Sequence, residues 1–242
     1  MELSSYDQKL LRILEENKDI LVQKDICTKC RGLCCRRCGC SYLPIDFEEL
    51  TLPVVLKKLE EGETSIVCSM CIDSIDDNIK NIKLNPLFYL RVRNRKRPVI
   101  DLFSPKARCS VLTENGCKYT LEKRPSLAKA LIPSAGMLSG PIENQCYSLF
   151  DGNDTVLKGA WTYHQTVLRD AIYEITGRNY QEEVIFQLHQ LSNFLNKYSF
   201  EEICANDELL SLKEMLNVCV SAIRFRGEDV FVDKVKIKSK HK

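Results

Sequence analysis

Apolar residues recur at helical spacing at both ends of this chain and alternate in its middle. Residues 5–25 place Leu10, Leu11, Leu14, Ile20 and Leu21 on one broad face, which predicts an amphipathic helix. In SYLPIDFEELTLPVVLKKLEEG, Asp46 is placed to N-cap a helix with Glu49 completing a capping box. Pro53 should mark a break or kink in that helix, and Gly62 its end. LFYLRVRNRKRPVIDLF alternates, and predicts a β-hairpin turning around Asn94–Arg97. Leu90 and Val92 would share one face of it, and Tyr89, Arg91 and Arg93 the other. Residues 104–155 carry Pro105, Gly116, Pro125, Pro133, Gly136, Gly140, Pro141 and Gly152, and read as loop-rich. Helical periodicity returns over 160–176, 180–198 and 200–226, with Gly177 and Gly227 at stops and Ser199 as a cap. Val184, Ile185, Leu188, Leu191 and Leu195 form a stripe that reads as core. The expected fold is mainly α, with a small loop-rich metal core and a short β-hairpin; α+β is the alternative. The expected organisation is a helix at 1–26, a cysteine domain at 27–155, a helical region at 156–228 and a basic, frayed tail at 229–242.

Composition changes this picture in one respect. With 242 residues, 44% of them hydrophobic, the chain can build a substantial core, and its net charge of +2 gives no global field for nucleic acid. Cysteine is the outlier, at 13 residues. The N-terminus lacks the basic start, apolar run and cleavage site of a signal peptide. No stretch approaches the ~18 uninterrupted apolar residues of a membrane span. The expected compartment is therefore the cytoplasm, where thiol clusters hold metals more often than they form disulfides.

Six of the thiols fall in CTKCRGLCCRRCGC, residues 27–40. Cys27 and Cys30 have the spacing at which a tight turn aims two thiolates at one ion, and Cys34, Cys35, Cys38 and Cys40 follow. Neighbouring side chains diverge, so Cys34 and Cys35 suit two centres, or one centre and a packing role. Gly32 permits the turn, and Lys29, Arg31, Arg36 and Arg37 can offset the charge of a thiolate site or remain solvated. A second group comprises Cys109, Cys117 and Cys146. RCSVLTENGCKYTLEKRP reads as strand–turn–strand with Asn115-Gly116 at the turn, presenting Cys109 and Cys117 from its two arms. All-sulfur ligation suits zinc and iron–sulfur clusters alike. Cys68 and Cys71 have ligand spacing and are possible additions; Cys204 and Cys219 read as buried small hydrophobes. His164, His189 and His241 lie far along the chain, which disfavours a mixed Cys/His site; His164 and His189 read as helix-surface or satisfied core residues.

These motifs resemble the CxxCxxxCC family of zinc- or iron-chelating proteins, whose domain also occurs in a flagellin lysine-N-methylase. The resemblance spans roughly residues 27–150. It begins at C-T-K-C-R-G-L-C-C, continues through LPIDFEEL, and closes with C-S-V-L-T-E-N-G-C-K-Y-T-L-E-K-R-P at 109–125 and the late Cys146. It implies a metal site, places Tyr119 and Arg124 near it, and leads through Pro125 into a helix, SLAKAL. Ala128 stands where the family pattern has a further cysteine. Another thiol would then complete the set, or the metal would keep an open position able to take a substrate or S-adenosylmethionine.

The leading functional expectation is a metal-cluster protein holding iron–sulfur, expected as [4Fe–4S], or zinc. The resemblance adds an S-adenosylmethionine-dependent, lysine N-methylase-like activity on a protein or peptide. No glycine-rich nucleotide loop and no radical-SAM CxxxCxxC spacing support that activity. A third expectation is a zinc-stabilised module for an acidic or nucleic-acid partner, resting on Arg91, Arg93, Arg95, Lys96 and Arg97. Arg91, Arg93 and Arg95 read more simply as the wet face of a half-buried hairpin.

Overall fold

The computed structural model describes residues 5–16, 40–74, 83–93, 99–101, 109–114, 116–120, 122–129, 131–133, 146–148 and 153–222. Among them the protein is mainly α-helical, with three small two-stranded sheets. The chain divides into two compact units, Met1–Val67 with Phe88–Ala171, and Cys68–Leu87 with Ile172–Lys242.

The first unit holds the end of a two-stranded sheet formed by Thr64–Val67 and Phe88–Val92. Strand β1 (Thr64–Ser74) pairs with β2 (Lys83–Val92). The bond from Arg93 N to Glu63 O, 2.9 Å, closes the end where β1 starts and β2 finishes, so the strands run antiparallel. The expected partner of β2 was the segment after Arg97. The structure corrects this: β1 pairs with β2, and Ile100 instead makes a parallel bridge to Ile66. β1 wins because it offers eleven residues for pairing, whereas only Ile100 of the later segment bridges among the described residues. The Asn94–Arg97 turn lies outside the described residues. On the far edge of β2, Tyr42 N donates to Leu90 O (2.9 Å) and Val92 N donates to Cys40 O (2.7 Å). The next rung is taken by a side chain: Phe88 N donates to Gln165 Oε1 and Gln165 Nε2 donates to Phe88 O, both at 2.9 Å.

The helices of this unit follow their caps. Helix α1 (Ser5–Glu16) occupies the first part of the predicted 5–25 helix; the remainder lies outside the described residues. Asp46 does not cap a local helix with Glu49. It ends a short 3-10 turn, Pro44–Asp46, and α2 (Leu52–Glu60) begins six residues later. Proline explains the shift, because Pro53 is tolerated in a first turn, where its missing N–H is not needed, and disrupts a helix interior. Pro53 thus opens α2 rather than kinking it. Val55 and Leu59, one turn apart, bury one face, and Gly62 ends the segment at φ 73°. The predicted SLAKAL helix is only α3 (Ser126–Lys129), with Pro125 O accepting from Ala128 N and Lys129 N. It stops because Leu131–Pro133 is claimed by an antiparallel strand pairing with Cys146–Ser148. Helix α4 (Asn153–Trp161) starts earlier than the periodicity indicates, packs against α1, and passes through a 3-10 turn at Thr162–His164 into α5 (Gln165–Thr176). Trp161 is fully buried, and its Nε1 donates to Tyr42 O at 2.9 Å.

Apart from the strand residues within Cys68–Leu87, the described part of the second unit is helical. Gly177, at φ +67°, ends α5; a Cβ there would meet nothing within 4 Å, so the backbone angle alone selects glycine. Asn179 and Glu182 form a capping box for α6 (Tyr180–Leu195). Val184, Leu188, Leu191 and Leu195 of the expected stripe are buried, while Ile185 is half-buried. Glu183 is buried among them, and its carboxylate is satisfied by Arg178 Nε at 2.7 Å and Gln187 Nε2 at 2.6 Å. Ser199 caps α7 (Phe200–Cys204) through a second capping box with Glu202. The expected 200–226 helix is divided, because Asn206 Oδ1 accepts from Leu209 N and starts α8 (Asp207–Ala222). α8 packs on α6 and α7. Gly227 and the basic tail lie outside the described residues.

Candidate metal centre

Three thiols of the first unit are described with their side chains. Cys40, the last of the N-terminal cluster, is buried and its carbonyl is held by Val92 N at the closed end of the sheet. Cys109 is 2% exposed and Cys117 is half-buried. Cys109 precedes, and Cys117 belongs to, a hairpin of Leu112–Thr113 and Gly116–Cys117, in which Leu112 pairs with Cys117 and Thr113 with Gly116. Cys109 O accepts from Leu112 N, and Val111 O accepts from Lys118 N. Gly116, at φ 98°, closes the turn and begins the second strand, as the Asn-Gly dipeptide predicts. Cys146 pairs in register with Pro133 in a separate sheet of the same unit.

Glu63 joins these pieces. Its carbonyl accepts from Arg93 N, beside the residue that pairs with Cys40, and from Ser110 Oγ (2.7 Å), which follows Cys109. Its carboxylate meets Lys118 Nζ at 3.0 Å, which follows Cys117, and accepts from the Tyr119 hydroxyl at 2.6 Å. Tyr42, two residues after Cys40, is buried in the same unit. Burial pushes both phenols up, and the Glu63 bond pushes Tyr119 further, so both stay protonated at neutral pH. Lys58 Nζ sits 5.4 Å from the Tyr42 ring centroid.

Asp46 secures the segment on the other side. Its carboxylate accepts from Leu43 N (2.8 Å), Ser126 N (2.9 Å) and Ser126 Oγ (2.5 Å), tying the exit of the cysteine loop to the start of α3. Burial pushes the Asp46 carboxyl up; the bonds from Ser126 and Leu43 offset part of that. Neither Asp46's distant partner nor the Glu63 hub was anticipated. Both act across long sequence separations, and only the capping preference of aspartate hinted at the first.

The other expected site residues are distributed as follows. Cys27, Cys30, Cys34, Cys35 and Cys38, with Lys29, Arg31, Gly32, Arg36 and Arg37, lie outside the described residues. Cys68 is half-buried on β1, and Cys71 belongs to the same strand. Three residues along a strand is an odd step, unlike the tight turn in which CxxC pairs converge. Arg124 is half-buried, and Ala128 is buried in α3. Cys219 is buried and its thiol is pushed up to about 11 by burial, as a core cysteine should be. Cys204 is exposed at the end of α7, correcting its expected burial; the short helix ends there, leaving Ile203 as its buried residue. His164 is half-buried with its ring edge-on to Trp161, and His189 is half-buried on α6.

The basic strand face is also corrected. Arg93 is 1% exposed, with Nη1 3.8 Å from the buried Asp101 Oδ2. Arg91 donates to Ser41 Oγ at 3.0 Å and lies over the Tyr89 ring. Arg93 is buried and Arg91 half-buried, each with a partner, so they are not a wet strip. Arg95, Lys96 and Arg97 lie outside the described residues.

Among the described residues, no three Cys, His, Asp or Glu side chains stand close enough to hold a metal ion, and no helix is long and apolar enough to cross a membrane. Cys40, Cys109 and Cys117 belong to one unit, and Cys40 and Cys109 are withdrawn from solvent, but they do not form such a group by themselves. No family model, no curated protein and no solved structure matches this chain.

Proposed function

We propose that this chain is a cytoplasmic metal-binding protein whose clustered cysteines hold an iron–sulfur cluster, with zinc as the other metal that the donor set suits. One observation carries the reading. Cys40, where the six-cysteine loop ends, and the Cys109–Cys117 hairpin are bonded to the same closed end of the sheet through Val92, Arg93 and Glu63. Thiols far apart in sequence are thereby anchored to one rigid element, which a convergent site requires. When bound, such a group would supply redox chemistry if iron–sulfur, or a structural cross-link worth roughly 10–16 kcal/mol of apparent folding free energy if zinc. The charged residues of the loop would offset its negative charge.

The test is anaerobic purification followed by iron, zinc and acid-labile sulfide analysis with a visible spectrum. Matched iron and sulfide, bleached by dithionite, are expected for the cluster, and stoichiometric zinc for the alternative. Cys30→Ala and Cys117→Ala should each lower metal content, whereas Cys219→Ala should not. Metal-free wild-type protein, or full retention in both ligand variants, would overturn the proposal.

A further inference from the structure

Cys40 and Cys117 stand in matching local settings. Each is followed two residues later by a tyrosine, Tyr42 and Tyr119. Glu63 adds contacts to both arms of the Cys109–Cys117 hairpin, through Ser110 on one side and through Lys118 and Tyr119 on the other. Its carboxylate is largely withdrawn from solvent, at 13% exposure, while Lys118 remains 59% exposed.

We infer that Glu63 is a positioning residue that locks the cysteine hairpin onto the strand end carrying Cys40, so that a carboxylate outside the thiol set governs how Cys109 and Cys117 are presented. The purpose of the lock rests on the metal-site reading above; its existence rests on the bond network alone. Glu63 can do this because one residue supplies two kinds of grip. Its backbone is fixed by Arg93 N at the sheet, and its side chain reaches the second arm. The carboxylate bonds are charge-assisted, hence stronger than neutral ones. The hairpin itself has only two residues in each strand, too few to hold its own register without such outside contacts.

Native-state alkylation tests the inference on the full chain as purified, with iodoacetamide and mass-spectrometric readout of each cysteine. Glu63→Ala should accelerate modification of Cys109 and Cys117 about tenfold through local opening of the hairpin, with Cys219 unchanged. Tyr119→Phe, which removes only the hydroxyl, should give a smaller acceleration, and Glu63→Gln should recover part of the protection. Unchanged Cys109 and Cys117 rates in Glu63→Ala, or acceleration of Cys219 in parallel, would overturn the lock. If Glu63→Ala fails to fold, Tyr119→Phe decides by the same criterion. Metal loss to a chelator provides the second readout: Glu63→Ala should release metal about tenfold more readily, the size typical of outer residues that orient metal ligands. Faster alkylation in protein that never held metal would sustain the lock while removing the metal reading.

Discussion

Gln165→Leu should destabilise the first unit by about 2 kcal/mol. Leucine keeps most of the side-chain bulk and removes the amide. That amide makes three bonds at 2.9 Å, accepting from Phe88 N and donating to Phe88 O and Trp161 O. A net contribution of roughly 0.5–1.5 kcal/mol per bond gives the total, reduced somewhat because the site is only part-buried. The amide extends the edge ladder of β2 past Tyr42 and so ties α5 to the sheet. Urea denaturation followed by fluorescence measures the loss, because Trp161 is the single tryptophan and lies fully buried one helical turn away. The slope should stay constant while the midpoint falls. Thr166→Ala, at an exposed neighbour, should stay within about 0.5 kcal/mol of wild type. Gln165→Glu should be worse at pH 7 than at pH 4, since an ionised carboxylate keeps the Phe88 N–H bond but faces the Phe88 carbonyl. A loss under about 0.5 kcal/mol for Gln165→Leu would refute the reasoning, showing that water replaces the amide at no cost.

Two further outcomes follow from burial. Asp46 should titrate above 3.8, because burial raises its folded-state value. Its contribution to stability is then full below 3.8 and declines as pH rises through the folded value. Carboxyl NMR gives the answer, Ser126→Ala should raise the value further, and titration at or below 3.8 would contradict the account. Cys204 should alkylate readily at pH 8 while Cys219 resists, since one is exposed and the other is buried with its thiol near 11; equal rates would count against the packing of α8.

The helical half was largely legible in the sequence. Asn179 with Glu182, Ser199 with Glu202, and the buried stripe from Val184 to Leu195 are local patterns, decided by bonds within a turn or two. Gly62 and Gly177 were legible as stops for the same reason. The hairpin closed at Gly116 was legible as well, because turn chemistry is short-range. The tertiary structure decided what depends on distant partners. β2 could have paired forward or backward, and alternation alone does not choose; the long β1 did. Arg93 looked like a wet-face cation until the segment at Asp101 covered it. Asp46 kept its capping chemistry but applied it eighty residues away, to Ser126. Glu63 has no local signature, and its role exists only because the sheet end brings Arg93, Ser110, Lys118 and Tyr119 to it. Sequence patterns record which groups need partners within a few residues, whereas a buried carboxylate or strand edge is satisfied by whichever group the fold delivers.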